Sequence, residues 1–465
     1  MKIFYLTMRI EADSDVDHPG RRHPVTEWET ITALTHQPAA CLMHISALTQ
    51  HAATTGLITP SGDLTKDTDQ VASLHPDLAE LTEYARAGTP PPVTPPWAAH
   101  IADPPHRPDG HRLGDLYQRL SAEARKSRAL CQTPAWVTRL LLDIAFDHAY
   151  REHGPHVRMI DPACGTGHIL IETLLRAYIR QHHGLGRAGK PALPWRIHPL
   201  ERVTAALNVV HGVDIDPYAV LVARYRLLVM ARALLHACGY DPSPRDLASL
   251  PLHVAAADAL LAEDEPLLKR GTYHVVLANP PYITVKDRTL TKAIRARYPQ
   301  VCYRKYSLAV PFHVLMHELL VPGGWCAQLT ANSFMKREFG KRYIEEWLAT
   351  QDLRWVIDTS GAYIPGHGTP TVILVTRNQT PTGEPVRTIR GIRGEPRKPA
   401  DPASGVVWRD IARLVREREA SDHLLTASQW HPIGQETGTQ VEPIPVRARQ
   451  PARPVQPPLF DLLAS

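Results

Sequence analysis

Between residues 113 and 378, short apolar runs alternate with stretches in which apolar residues recur every three to four positions. The runs 157–161, 210–214, 252–256, 273–278, 324–330, 353–358 and 370–376 read as strands. The periodic stretches 134–150, 167–182, 217–238, 307–320 and 338–350 read as the helices between them. Such alternation predicts an α/β fold: a mostly parallel, doubly wound sheet of seven strands with helices on both faces. Residues 1–88 show helical spacing and predict a helical N-terminal region, followed by a proline-rich linker at 89–112. The last stretch, 379–465, is rich in proline and arginine, with one helix expected near 407–420 and the remainder expected to be largely flexible.

One strand ends in an unusual way. The run "VVLANPPY" (275–282) carries an apolar strand into Asn279, two prolines and Tyr282. An apolar strand of this kind belongs inside a sheet buried on both faces. Neither Pro280 nor Pro281 can donate to a ladder, so the strand stops and a stiff loop begins. That loop holds one amide and one aromatic ring at the carboxyl end of a central strand, where open α/β sheets bind their ligands.

A second strand runs into a glycine-containing turn, "VRMIDPACGTGHILIETLL" (157–175). Such a turn lets a ligand approach the backbone. It lacks the third spaced glycine of the dinucleotide fingerprint, and no Gly-Lys-Ser/Thr follows, so it is not a P-loop. The strands that follow end at Asp214, with Ile215 beside it, and at Asp258. Asp214 is placed to accept hydrogen bonds from ribose hydroxyls, Ile215 to offer an apolar surface to adenine, and Asp258 to read an adenine amino group. Each acid alone reads equally as a helix cap. Three consecutive strand ends together indicate an adenosine-bearing ligand that needs no phosphate cradle, which suits S-adenosylmethionine.

Composition changes this picture little. The chain has 465 residues, 43% hydrophobic and 21% charged, enough for a large buried core. A formal charge of +5 permits a nucleic-acid partner without demanding one. The six cysteines are scattered with neither zinc-ligand nor disulfide spacing, so no metal site is expected and a reducing, cytoplasmic setting is. The N-terminal residues turn acidic before a signal-peptide core forms, and no apolar run is long enough for a membrane span.

The segments "CQTPAWVTRLLLDIA" (131–145), "DPACGTG" (161–167), "VDIDPYA" (213–219) and "NPPY" (279–282), in that order, resemble the amino-methylating N6-adenine DNA methyltransferases. The likeness covers roughly residues 115–378 and, within the family, is greatest to the methyltransferase component of BREX and phage-growth-limitation defence systems. It implies a Rossmann-like methyltransferase fold, S-adenosylmethionine as methyl donor, and double-stranded DNA with a flipped adenine as substrate. By resemblance, the Asn279 amide oxygen and the Pro280 carbonyl accept the two hydrogens of the adenine amino group. Pro281 stiffens the loop and Tyr282 stacks on the base. Thr133 and Pro134 border the methionine end of the cofactor; Asp161, Ala163, Gly165 and Gly167 line it. Tyr363 offers a second stacking face or is a plain rim aromatic. Lys336, Arg337, Lys341 and Arg342 read as phosphate contacts or as a solvated helix face. The basic segment "RTIRGIRGEPRK" (387–398) is open in the same way.

Two other readings remain. A methyltransferase acting on RNA or on a protein glutamine also carries "NPPY", though with a different glycine loop. A catalytically silent DNA-binding or scaffold subunit is the reading from another class. No segment has the pattern of a target-recognition domain, so sequence specificity is expected from a protein partner, docked on the helical N-terminal region.

Overall fold

The computed structural model describes residues 37–87, 109–121, 131–183, 197–365, 368–391, 394–420, 431–433 and 439–444. Among these, ten strands run in chain order: β1 (Met159–Asp161), β2 (Val210–Asp214), β3 (Val254–Ala256), β4 (Tyr273–Ala278), β5 (Leu320–Ala331), β6 (Asp352–Asp358), β7 (Thr371–Arg377), β8 (Val386–Gly391), β9 (His431–Ile433) and β10 (Thr439–Ile444). The chain divides into two units, Met1–Ala135 with Cys164–Ala257 and Trp136–Ala163 with Asp258–Ser465. This division cuts across the segments expected from sequence, passing through the glycine turn itself.

In the first unit, β2 and β3 pair in parallel, with Gly212 opposite Val254 and Asp214 opposite Ala256. The helix Pro217–Ala237 follows β2 because Asp216 caps it, accepting from the backbone N–H of Tyr218, while Pro217 fixes its first turn. Fifteen of its residues are buried, and its apolar side chains lie all round, as an enclosed helix requires. The helix Gln37–Thr54 lies against it through polar anchors. His44 Nε2 donates to the Leu113 carbonyl at 2.7 Å, which leaves Nδ1 to accept from the Tyr218 hydroxyl at 2.8 Å. His51 Nδ1 meets the Tyr225 hydroxyl at 2.8 Å. Residues 37–87 are therefore built into the same unit as β2 and β3, and most of 41–49 is buried. The apolar face of this helix is thus spent within its own unit.

In the second unit the strand order is β1-β4-β5-β7-β6-β8-β10-β9. β1, β4 and β5 are parallel, with Met159 opposite Val275 and Val276 opposite Cys326. β7 runs against both β5 and β6, and β8 is parallel to β6. Val275, Val276, Leu277 and Ala278 are fully buried, as their unbroken apolar run predicted. The helix Ala309–Leu319 packs on β4 and β5. Its His313 and His317, with Cys326 of β5, gather around the Thr376 hydroxyl, which lies 2.6 Å from His317 Nε2 and 3.3 Å from His313 Nε2.

All seven expected strands are present, with ends shifted by up to four residues. Four short helices were not anticipated: His111–Leu120, Pro199–Leu207, Pro244–Ala248 and Arg288–Arg297. The helix expected near 407–420 is present as Val406–Ala420, whereas Val386–Gly391 differs from the flexible tail expected there. Val386–Gly391 forms β8, pairing Val356 with Thr388, and Trp408 on the helix Val406–Ala420 meets Trp136 edge-on with ring centroids 4.3 Å apart. The segment "VRTIRG" carries only two apolar residues, Val386 and Ile389, at a spacing that is not strand-like, and its Arg387 guanidinium lies 5.5 Å over the Trp355 ring. The rest of the expected tail, apart from β9 and β10, lies outside the described residues. No helix of the described residues is long and apolar enough to cross a membrane.

Candidate active site

The first unit supplies the strand end after β2. Gly165 and Gly167 hold φ of 51° and 85°, left-handed values that exclude most side chains. Cys164 donates its backbone N–H to the Val213 carbonyl at 3.0 Å. Gly212 lets the turn come this close, since a Cβ there would meet Leu170 at 2.7 Å and Cys164 at 3.0 Å. Asp214 then accepts backbone N–H groups on both oxygens, from Gly165 at 2.8 Å and from Asp216 at 2.9 Å. The cap of the following helix is Asp216, which also accepts from the Tyr117 hydroxyl at 2.7 Å. Asp214 is thus not the helix cap. Ile215 beside it is 53% exposed, one of two large exposed hydrophobic residues among those described.

Supports for this turn that sequence reading missed come from the helix His111–Leu120 and from Arg226. Gln118 accepts the backbone N–H of Gln132 at 2.9 Å, fixing the segment that carries Thr133 and Pro134; Thr133 is buried and Pro134 half-buried. Gly114 allows close approach of the turn, because a Cβ there would lie 2.4 Å from His168 and 2.5 Å from Thr166. Arg226, wholly buried, donates to the Thr166 carbonyl at 2.7 Å and to His168 Nδ1 at 3.1 Å. Burial, reinforced by the Arg226 charge, pushes the His168 imidazole down to about 3, so the ring is neutral. A guanidinium only donates, so the ring proton sits on Nε2, which faces Asp115 Oδ1 at 3.6 Å. His111, Asp115 and His168 bring donor atoms within 4.8 Å, but that tautomer directs a proton, not a lone pair, into the group. It does not fit a cation.

The second unit supplies the carboxyl ends of β1 and β4. Asp161 is 1% exposed and accepts the Ala163 N–H at 3.0 Å. Pro280 is buried, whereas Asn279, Pro281 and Tyr282 are half-buried. The Tyr282 hydroxyl donates to Asn279 Oδ1, joining the amide and the ring in one loop. Leu308 anchors the loop's far side by donating its N–H to the Ile283 carbonyl at 2.9 Å. Asp258 accepts the Leu260 N–H at 3.0 Å, a turn-forming contact that uses one oxygen.

The remaining expected residues are placed less simply. Tyr363 is half-buried and Lys398 Nζ lies 5.0 Å over its ring, so one stacking face is covered. Lys336 and Arg337 are exposed after the Asn332 turn, while Arg342 pairs with Glu346 at 2.9 Å. Arg387 and Arg390 lie on β8, within the sheet.

Strands β1, β4 and β5 in parallel, and β2 with β3, give each unit a Rossmann-like α/β arrangement. At the fold level the chain is similar to a chain of a type I restriction-modification system, with 14% identity, a TM-score of 0.51 and coverage of 95% of this chain and 93% of that one. It is similar also to the type IIG restriction endonuclease BpuSI, with 14% identity, a TM-score of 0.50 and coverage of 95% of this chain and 44% of that one. Residues 208–364 match the Eco57I restriction-modification methylase family. The chain is a relative of the adenine-specific methyltransferase PglX of Streptomyces coelicolor, 42% identical over 360 residues, which is 68% of this chain. It spans 28% of that relative's length.

Proposed function

We propose that the chain transfers a methyl group from S-adenosylmethionine to N6 of an adenine flipped out of double-stranded DNA, within a restriction-modification or BREX-like defence system. The observation that carries the reading is the buried strand β4 running directly into Asn279-Pro280-Pro281-Tyr282, with a partly exposed amide tied to the ring. The adenine amino group is a poor nucleophile because its lone pair is delocalised into the ring. Asn279 Oδ1 and the Pro280 carbonyl accept its two hydrogens and turn the lone pair out of the ring plane. The Tyr282 hydroxyl donates to Asn279 Oδ1 and ties the amide to the ring of the same loop. Two such bonds in a dry pocket contribute several kcal/mol, roughly, to orientation and charge stabilisation. Stacking on Tyr282 offsets about 1–3 kcal/mol of the cost of extruding the base.

The residues after β2 fit the proposed donor. The left-handed glycines open the turn, Asp214 presents a backbone-fixed carboxylate to the ribose hydroxyls, and Ile215 offers an apolar face to adenine. Bound S-adenosylmethionine supplies a methyl group on a positively charged sulfur, which needs no metal or general base for activation. Thr133, Pro134, Asp161, Ala163, Gly165, Gly167 and Asp258 complete the proposed contacts. Reading several base pairs needs on the order of 1,000 Å² of protein surface or more, which we assign to a protein partner. Unmodified plasmid DNA incubated with the purified chain and methyl-labelled cofactor should acquire label in N6-methyladenine. Label found only in RNA or in protein would refute the reading.

A further inference from the structure

Positive charge gathers in residues 283–305, directly after the NPPY loop. This segment holds seven lysines and arginines against one aspartate, an excess of six where the whole chain has an excess of five. It is folded, not a loose tail. Asp287 caps the helix Arg288–Arg297 by accepting the Leu290 N–H at 2.7 Å. Ile294, Tyr298, Val301, Cys302 and Tyr306 are buried beneath it, and the Tyr298 hydroxyl donates to the Leu260 carbonyl at 3.0 Å.

The charges on this support divide into two groups. Arg297, on the inward side of the helix with Ile294, spends its charge on Glu318 at 3.3 Å. Arg304, held at a left-handed φ of 51°, pairs with Glu338. By contrast Lys286, Arg288, Lys292 and Lys305 are exposed and have no ion-pair partner among the described residues. Arg288 and Lys292 stand four residues apart, so they form one stripe about 6 Å long on the outer face, while Arg295 donates to the Arg304 carbonyl at 2.8 Å. A folded, unneutralised cationic stripe is what a run of phosphates selects.

We infer that residues 283–305 form the surface that grips the DNA backbone beside the target adenine, through Lys286, Arg288, Lys292 and Lys305. This rests on the DNA-methyltransferase reading and assigns it a surface separate from the basic residues after Asn332. The test is binding of the full chain to a short labelled duplex across a salt series. Each phosphate contact contributes about 0.9 to the slope of log affinity against log salt. The variant K286Q/R288Q/K292Q/K305Q should flatten the slope by about 2–3.6, and R288Q/K292Q alone by about 1.8 or less. The control K336Q/R337Q/K341Q/R342Q should change it by less than about 1. Thermal unfolding midpoints and S-adenosylmethionine affinity should match wild type in all three. An unchanged slope in the first two variants, or a larger change in the control, overturns this surface while leaving methyl transfer by the chain intact. A wild-type chain with no affinity for duplex overturns both this inference and the proposed function.

Discussion

The strand end after β2 and the strand end after β4 solve opposite problems. Asp214 is held by the backbone: two N–H groups fix its carboxylate, a buried arginine and a neutral histidine brace the turn beside it, and the helix cap is delegated to Asp216. Asn279 accepts from a side chain of its own loop, the Tyr282 hydroxyl, and that loop is stiffened by two prolines. A preorganised acceptor suits a ligand met in the same form every turnover. An amide whose partner is itself the proposed stacking ring suits a base that must enter and leave. The difference predicts that substitutions after β2 act on cofactor affinity and stability together, whereas those after β4 act on turnover.

The sharpest way to break that division is Asn279→Ala. Methyl transfer should fall by about 10³-fold or more, the scale of losing a preorganised transition-state contact. Cofactor affinity should stay within a few-fold of wild type, measured by calorimetry. Equal losses in both would move Asn279 into the scaffold. Next in size is Asp214→Ala, expected to weaken cofactor binding by about 1.5–3 kcal/mol through loss of a charged acceptor. It should also lower the unfolding midpoint, because the Gly165 and Asp216 N–H groups lose their partner. Unaltered cofactor affinity would return Asp214 to a purely structural role.

Much of this contrast was legible in the residues. The seven strands were readable because each is an apolar run bounded by turn residues, and both strand ends announced themselves through glycines, acids and prolines. The bracing was not. Arg226 lies 60 residues from the Thr166 carbonyl it binds, and His44 lies 174 residues from Tyr218, so neither pairing leaves a local pattern. The helix His111–Leu120 hid at the edge of a proline-rich stretch, and the helix Arg288–Arg297 hid because only Ile294 of its residues is buried. β8 was missed because its two apolar residues, Val386 and Ile389, do not stand at strand spacing. The two-unit division, passing between Ala163 and Cys164, has no signature at all in a motif that reads as continuous.

A third prediction uses pH to separate the regions. His168 is held near 3 in the fold, below its unfolded value of 6.5, so the native protein binds fewer protons than the unfolded chain between those limits. Its contribution to stability is complete above about 6.5 and is lost progressively as pH falls toward 3. His168→Gln should destabilise the protein at pH 7.5, and the gap from wild type should narrow by about 2 kcal/mol at pH 5. Urea unfolding at the two values checks this. A gap that stays constant would mean that the ring is already protonated in the native state and that the bond from Arg226 is absent in solution.

The smallest expected effect tests the lighter of the two holds. Tyr282→Phe keeps the ring and removes only the hydroxyl that donates to Asn279. A neutral hydrogen bond contributes about 0.5–1.5 kcal/mol net, so turnover should fall about two- to twelve-fold, with cofactor affinity unchanged. Tyr282→Ala removes the ring as well and should weaken binding of a duplex with a mismatched target adenine by a further 1–3 kcal/mol, roughly, the scale of stacking one base. The two variants therefore divide the side chain into a part that aims the amide and a part that receives the base. If Phe and Ala proved equally harmful to turnover, aiming would dominate and the ring would have no separate stacking role. If Phe matched wild type, the hydroxyl would play no part in holding Asn279, and the contrast with Asp214 would not rest on the Tyr282 bond.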